Sequence, residues 1–347
     1  MVGTFKIITL ASAIEEKKVN LFEDHYYDTG SIKVSSSTLH CWKHEGHGSE
    51  TYLQVVENSC NPGFVSMGLK LGTDTLMNYI YKFGFGKKTG IDLNGEGKGI
   101  LFNKDKMSIL ETATTAFGQG ISVTPIQQIN AVSSAINGGI LYKPYIVKSI
   151  INNESKIAIK TNEKEEIGHV ISEETSSLVR YALESVVANG TGHNAYIENY
   201  RVGGKTGTAQ KVYDGKYMQG NYILSFIGFM PADRPEIVVY VAVDNPKNVT
   251  QYGGTVSAPI AKNVMKSAID ILNIKPSLDG MPKEYSWLDE KYIKMPNVLN
   301  MNIKEAKKLL NNFDIKLSGS GNKVIFQSPK ENMYIKENGT VTLLLGE

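Results

Sequence analysis

The chain has 347 residues, of which 41% are hydrophobic and 21% charged, with a net charge of +2. That length holds two domains, one of them large, and a balance this close to neutral gives no reason to expect a nucleic-acid partner. There is no run of 18 apolar residues to read as a membrane span. Met1 to Ala13 lacks the basic start and small-residue cleavage site of a signal peptide. Two cysteines, Cys41 and Cys60, exclude a disulfide-framework scaffold and leave either two free thiols or one bridge.

In chain order, Thr4 to Lys17 reads as a helix, because Phe5, Ile8, Ala11 and Ile14 share a face. Ile32 to Leu39 reads as a strand and Ser49 to Asn58 as a helix entering Ser59-Cys60-Asn61-Pro62-Gly63. Phe64 to Phe83 continues as helix, broken near Leu71-Gly72-Thr73, where Thr73 can cap a restart. Gly84 to Gly99 is loop-like, and Thr112 to Gly120 is a turn of small residues. Thr124-Pro125 opens a helix with proline at its first position. Leu141 to Ile151 and Ile157 to Ile159 read as strands, and Ser172 to Ala188 as an amphipathic helix stopped by Asn189-Gly190.

Tyr196 to Tyr217, Tyr222 to Phe229 and Ile237 to Val243 predict three consecutive antiparallel strands. Ala258 to Leu272 is then a helix able to pack on that sheet. Residues 275–293 read as a polar, Pro-containing linker. Residues 294–347 read as a small separate module with a helix over Ile303 to Asn311 and three short strands.

Three short motifs stand in order along this frame. Thr4-Phe5-Lys6 opens a helix, Ser59-Cys60-Asn61 lies between two helices, and Lys205-Thr206-Gly207 lies on a strand. Their order matches the Ser-x-x-Lys, Ser-x-Asn, Lys-Thr-Gly pattern of serine acyl transfer. The residue types suit that chemistry. A lysine one helical turn after a nucleophilic serine lies on its face and takes its proton once neighbours depress the lysine pKa. A second serine relays a proton, an asparagine amide binds a substrate carbonyl, and a threonine hydroxyl binds a carboxylate. Glycine lets substrate lie against the strand.

Over residues 1–272 the sequence resembles the class B penicillin-binding proteins, which are D,D-transpeptidases. The likeness extends to Phe83-Gly84-Phe85-Gly86, Ala116-Phe117-Gly118-Gln119-Gly120 and Tyr252-Gly253-Gly254. Cys41-Trp42-Lys43 with His47-Gly48, and Ser59-Cys60-Asn61-Pro62-Gly63-Phe64, are similar to the sporulation type. The final module resembles a PASTA domain. The resemblance implies an α/β penicillin-binding-protein/serine β-lactamase-like transpeptidase fold. That is an antiparallel sheet with helices on both faces and a helical subdomain at 1–274, then a linker, then a PASTA module at 294–347.

The resemblance implies roles as well. Lys6 is the general base, Ser59 the proton relay, Asn61 a substrate binder and Lys205 an electrostatic support. Thr206 and Gly207 bind substrate, and Thr208 serves the oxyanion. The implied partners are peptidoglycan stem peptides, β-lactams and a membrane glycosyltransferase, at the extracytoplasmic face of a bacterial membrane, with no cofactor. The implied pathway is cell-wall synthesis, in particular of the spore cortex.

One departure bears on activity. The family reads Pro-Gly-Ser-Thr-Phe-Lys where this chain reads Met1-Val2-Gly3-Thr4-Phe5-Lys6, so glycine stands in the nucleophile's place. Thr4 is only two residues before Lys6, which turns its side chain about 100° away around the helix. The expectation is an inactive chain, truncated relative to the family, in which an anchor helix, a pedestal domain and two sheet strands come first. The alternatives are a non-catalytic binding homologue and a D,D-carboxypeptidase or β-lactamase-like hydrolase. Cys41 and Cys60 are expected either as buried thiols or as a disulfide of an oxidising compartment. His40, Cys41, His44 and His47 fit no standard zinc spacing, so no metal site is expected.

Overall fold

In the computed structural model, which describes residues 3–213, 216–283, 292–337 and 339–347, the first apolar segment forms helix α1 (Lys6–Glu15). Every residue from Lys6 to Ile14 is buried, as befits a helix with neighbours all round. Its polar positions find partners inside. The Thr9 hydroxyl donates to Ala116 O at 2.7 Å and Ser12 to Ile8 O at 2.8 Å.

The region after α1 is more finely divided than expected. Strands β1 (His25–Asp28), β2 (Ser31–Val34), β3 (Ser37–His40) and β4 (Gly48–Thr51) form two antiparallel pairs, β1 with β4 and β2 with β3. The single strand expected over Ile32 to Leu39 is thus a hairpin, turned at Ser35 in a left-handed conformation. The helix expected from Ser49 starts only at Tyr52, because Thr51 forms a capping box with Gln54 at the start of α2 (Tyr52–Glu57). Next come α3 (Asn61–Leu71) and α4 (Thr73–Lys82), separated at Gly72, whose φ of +76° breaks the helix. Glycine is the cap here, rather than the expected Thr73. Thr112 to Gly120 is not a simple turn. Ser108 and Glu111 make a capping box that opens α5 (Ile109–Ala116), and Thr124 does the same for α6 (Pro125–Ile136).

Strands β5 (Ile140–Tyr142), β6 (Ser149–Ile151), β7 (Ala158–Thr161) and β8 (Glu166–His169) pair as β5–β8 and β6–β7. Helix α7 (Glu173–Asn189) follows. The main sheet is antiparallel, in the order β11–β10–β9, from β9 (Gly203–Tyr213), β10 (Lys216–Met230) and β11 (Ile237–Asp244). Strand β9 begins later than expected, because Tyr196 to Val202 holds only a bridge between Ile197 and Tyr200. Side chains of β10 alternate between faces. Phe226 and Met230 pack with Ala258, Ala261 and Met265 of α8 (Gly253–Leu272). Ile227 and Phe229 join the larger core built around α1, α3, α6 and α7. Helices therefore cover both faces.

Gly203 and Gly204 are required by packing. A Cβ at Gly203 would lie 2.3 Å from the Phe229 ring, and one at Gly204 2.4 Å from Phe226. The chain divides into two units, Met1–Glu284 and Tyr285–Glu347. Ser277 N–H donates to Asn199 O at 2.8 Å and Met281 N–H to the Glu184 carboxylate at 3.3 Å, both within the first unit. Most of the expected linker beyond them, residues 284–291, lies outside the described residues.

The second unit contains β12 (Tyr292–Lys294), α9 (Ile303–Leu309), β13 (Asp314–Gly319), β14 (Lys323–Ser328), β15 (Tyr334–Lys336) and β16 (Thr340–Gly346). Strand β16 lies between β13 and β14. Val298, Ala306, Leu310, Val324, Val341 and Leu343 fill its own core.

Candidate active site

Lys6, the first residue of α1, places its amine in a fully buried pocket. Lys6 Nζ donates to Ser59 O at 2.9 Å, to Ser59 Oγ at 3.1 Å and to Asn61 Oδ1 at 2.7 Å. An ammonium has three hydrogens, and these three acceptors can take all of them. Across the cleft, Lys205 Nζ, also buried, lies 2.7 Å from Ser59 Oγ. Lys205 and Ile227 face each other across β9 and β10. Four of the residues singled out from the sequence are thus brought together, Lys6 and Lys205 on the Ser59 hydroxyl and Asn61 on the Lys6 amine.

Local structure explains how Ser59 reaches them. It sits between α2 and α3 with φ of +52°, a left-handed conformation uncommon for a residue with a Cβ. Cys60 then caps α3, its sulfur accepting from Gly63 N–H at 3.4 Å. Asn61 Nδ2 donates to His40 O at 3.1 Å, and Trp42 Nε1 to Asn58 O at 2.8 Å. The loop after β3 therefore holds both sides of the Ser-x-Asn turn.

Burial dominates the electrostatics. Removal from water pushes the Lys6 amine down to about 8, partly opposed by the nearby Cys60 and Cys41 sulfurs. Burial, and then the charge of Lys6, push Lys205 well below its ordinary value. Two amines on one hydroxyl cannot both be charged without strong repulsion. The arrangement provides one ammonium, one neutral amine and a hydroxyl bridging them.

Thr206 and Thr208 alternate to the face of the strand opposite Lys205. Thr206 Oγ1 donates to Thr191 Oγ1 at 3.2 Å, and Thr208 Oγ1 accepts from Gly253 N–H at 3.3 Å. Gly207 lies between them. Thr191, which the sequence did not single out, is held by the Glu57 carbonyl through its N–H at 3.0 Å and its hydroxyl at 3.1 Å.

At Gly3 the place of the nucleophile is empty of side chain and tightly enclosed. Its φ is +95°, and a Cβ there would come within 2.5 Å of both Gly207 Cα and Thr206 O. The Thr4 hydroxyl is buried on the side of Tyr240 rather than beside Lys6 or Ser59. Burial raises the Tyr240 pKa, and the hydroxyls of Ser225 and Thr4 partly offset that rise. The structure thus keeps Thr4 out of the nucleophile's role.

Behind the cleft, Cys41 and Cys60 are both free and buried. Their sulfurs lie with an Asp28 oxygen and a His47 nitrogen, all within 4.8 Å of one another. His47 Nδ1 is 2.7 Å from Asp28 Oδ2 and 3.6 Å from Cys41 Sγ. A hydrogen bond from Cys60, then one from His47, draws Cys41 down against the effect of burial. Burial and its Cys41 neighbour push Cys60 up. Two sulfurs, an imidazole and a carboxylate are a donor set that zinc accepts. Of the four residues weighed from the sequence, Cys41 and His47 are in this group and His40 and His44 are not. Cys60 and Asp28, the last residue of β1, complete it.

A Lys-Thr-Gly strand facing a helix-borne lysine across a Ser-x-Asn turn is the framework of a serine acyltransferase. Residues 3–266 match the penicillin binding protein transpeptidase domain, and residues 293–347 the PASTA domain. The chain belongs to the penicillin-binding protein transpeptidase family. It is 56% identical to stage V sporulation protein D of Bacillus subtilis over 99% of its own length and 53% of that protein. It is 32% identical to the peptidoglycan D,D-transpeptidase FtsI of Buchnera aphidicola subsp. Baizongia pistaciae, over 79% of this chain and 46% of that protein. The chain spans about half the length of these relatives. Among solved structures it is similar to penicillin-binding protein 3 of Mycobacterium tuberculosis complexed with ampicillin. That match has a TM-score of 0.74 at 27% identity, over 82% of this chain and 65% of the other.

Proposed function

We propose that this chain is the donor-binding part of a peptidoglycan D,D-transpeptidase-type protein of spore-cortex synthesis, and that it does not turn over stem peptides. The observation that carries the first half is the convergence of Lys6 and Lys205 on Ser59, with Asn61 bound to the same Lys6 amine. Gly3 carries the second half, since no hydroxyl stands one turn before Lys6. The ligands are D-Ala-D-Ala stem peptides and the β-lactams that resemble them. Thr206 donates to the terminal carboxylate in place of Thr191, and Thr208 donates its hydroxyl proton while still accepting from Gly253 N–H. Likeness to the Bacillus subtilis sporulation protein supports the cortex assignment. The proposed setting is the outer face of the cell membrane, beside a membrane glycosyltransferase, with the PASTA unit contacting the wall. No described helix of this chain is long and apolar enough to cross a membrane.

Calorimetric titration with an N-acylated Lys-D-Ala-D-Ala peptide, together with an assay for released D-alanine, tests the proposal. Saturable binding with no release is expected. Absence of binding would remove the first half, and catalytic release of D-alanine the second.

A further inference from the structure

We propose that Ser59, rather than any residue of the first motif, accepts an acyl group from an activated carbonyl such as a β-lactam. The inference rests on the proposed function, because it requires the β-lactam to enter this cleft. Ser59 is partly exposed and stands between two buried amines, 3.1 Å from Lys6 Nζ and 2.7 Å from Lys205 Nζ. The amines are not equivalent. Lys6 has a carbonyl and an amide oxygen to donate to besides the Ser59 hydroxyl, which suits it to remain an ammonium. Lys205 faces the same hydroxyl beside that positive charge, which favours its neutral form. A neutral amine accepts the Ser59 proton, while the Lys6 ammonium stabilises the oxygen left behind.

The atoms balance without a further reagent. Ser59 Oγ forms a bond to the lactam carbonyl carbon, and its proton passes to Lys205 Nζ. The carbon–nitrogen bond of the ring then breaks, and the proton moves from Lys205 to the ring nitrogen. The product retains every atom of the β-lactam as an ester on Ser59.

The backbone also implies that the reaction stops there. Ser59 N–H donates to Val56 O at 3.2 Å and Cys60 N–H to Val55 O at 3.0 Å. The two amides beside this nucleophile are therefore occupied and form no oxyanion hole, which slows both the acylation and the hydrolysis of the ester. Thr4 is no competitor, its hydroxyl being buried and bonded to neither lysine.

Incubation of the whole chain with excess benzylpenicillin, followed by intact-mass measurement and peptide mapping, tests this. One adduct of the full benzylpenicillin mass is expected, on the peptide that contains Ser59. Ser59→Ala and Ser59→Gly, the second relieving the left-handed backbone, should each reduce labelling at least twentyfold. Lys205→Met should slow it at least tenfold. Parallel calorimetry with benzylpenicillin separates the two readings. Reversible binding without an adduct, or an adduct mapped to Thr4 or elsewhere, overturns the role of Ser59 and leaves the cleft assignment standing. Absence of any binding overturns both.

Discussion

The wall of the cleft at Ser59 and the floor at Gly3 lie against the same strand and are built differently. The wall holds a hydroxyl, an amide and two amines within hydrogen-bonding distance. The floor has no side chain, and its backbone bends into the left-handed region with Gly207 and Thr206 pressed against it. The floor therefore lacks an oxygen and also the room for a side chain that could carry one.

The largest expected effect tests that shape. Gly3→Ser should destabilise the chain by about 3 kcal/mol or more, combining a disfavoured backbone with overpacking. It should not by itself produce D-alanine release. Gly48→Ala provides the control, since φ there is +75° and nothing lies within 4 Å of the added carbon. It should cost only about 1–2 kcal/mol for the backbone. Urea unfolding of both variants measures the difference. A Gly3→Ser protein as stable as the parent, and active, would show that the floor is open and lacks only its hydroxyl.

A second test concerns the charges on the wall. The amine of Lys6 is pushed down to about 8 in the folded chain, while in the unfolded chain it stands near 10.5. Between those values the unfolded chain binds more protons, so stability rises with pH across this window. Below pH 8 the full cost of charging the buried amine is present. The change amounts to about 3 kcal/mol between the two limits. Urea unfolding at pH 7.5 and pH 10, in the parent and in Lys6→Met, isolates it. The variant should lose the Lys6 share of the rise and keep the share of Lys205, which burial also holds well below its ordinary value, and identical pH slopes would contradict a strongly shifted Lys6.

Much of the wall was legible in the sequence. Three motifs in the right order specify which side chains must meet, although Lys6 and Lys205 are 199 positions apart. Helices α1 and α7 and the strands bearing Lys205 and Ile227 follow from apolar periodicity. The floor was only half legible. A missing serine is visible as Gly3, but its φ of +95° and its contact with Gly207 depend on how two distant segments pack. The small elements between α1 and α3 were misread because turn chemistry overrode periodicity. Ser35 adopts a left-handed turn, and Thr51 delays a helix by a capping box. The Asp28, Cys41, His47 and Cys60 group was hidden for a similar reason. Its members come from three separate loops and strands and share no ligand spacing.

That group gives a third, smaller test, because it packs behind the wall and not behind the floor. Micromolar zinc should slow alkylation of Cys41 and Cys60 about tenfold or more, as expected when thiolates are metal ligands. Asp28→Asn should weaken the protection. Mass spectrometry of the alkylated peptides reads both thiols at once. Unchanged alkylation with zinc would leave the four groups as a hydrogen-bonded cluster.

The smallest effect probes the substrate side of the strand. Thr206 now donates to Thr191 rather than to any group in the cleft, so a carboxylate must replace one hydrogen bond with another. Its net gain is then the difference between a charged acceptor and a neutral one, about 1 kcal/mol. Thr206→Val should weaken binding of the stem peptide about fivefold, with little change in stability, because Thr191 keeps its bonds to Glu57. Thr206→Ser should restore most of the loss. A hundredfold loss in Thr206→Val would mean that Thr206 already points at the ligand site when empty. No loss would assign the carboxylate to Thr208 or to the lysines.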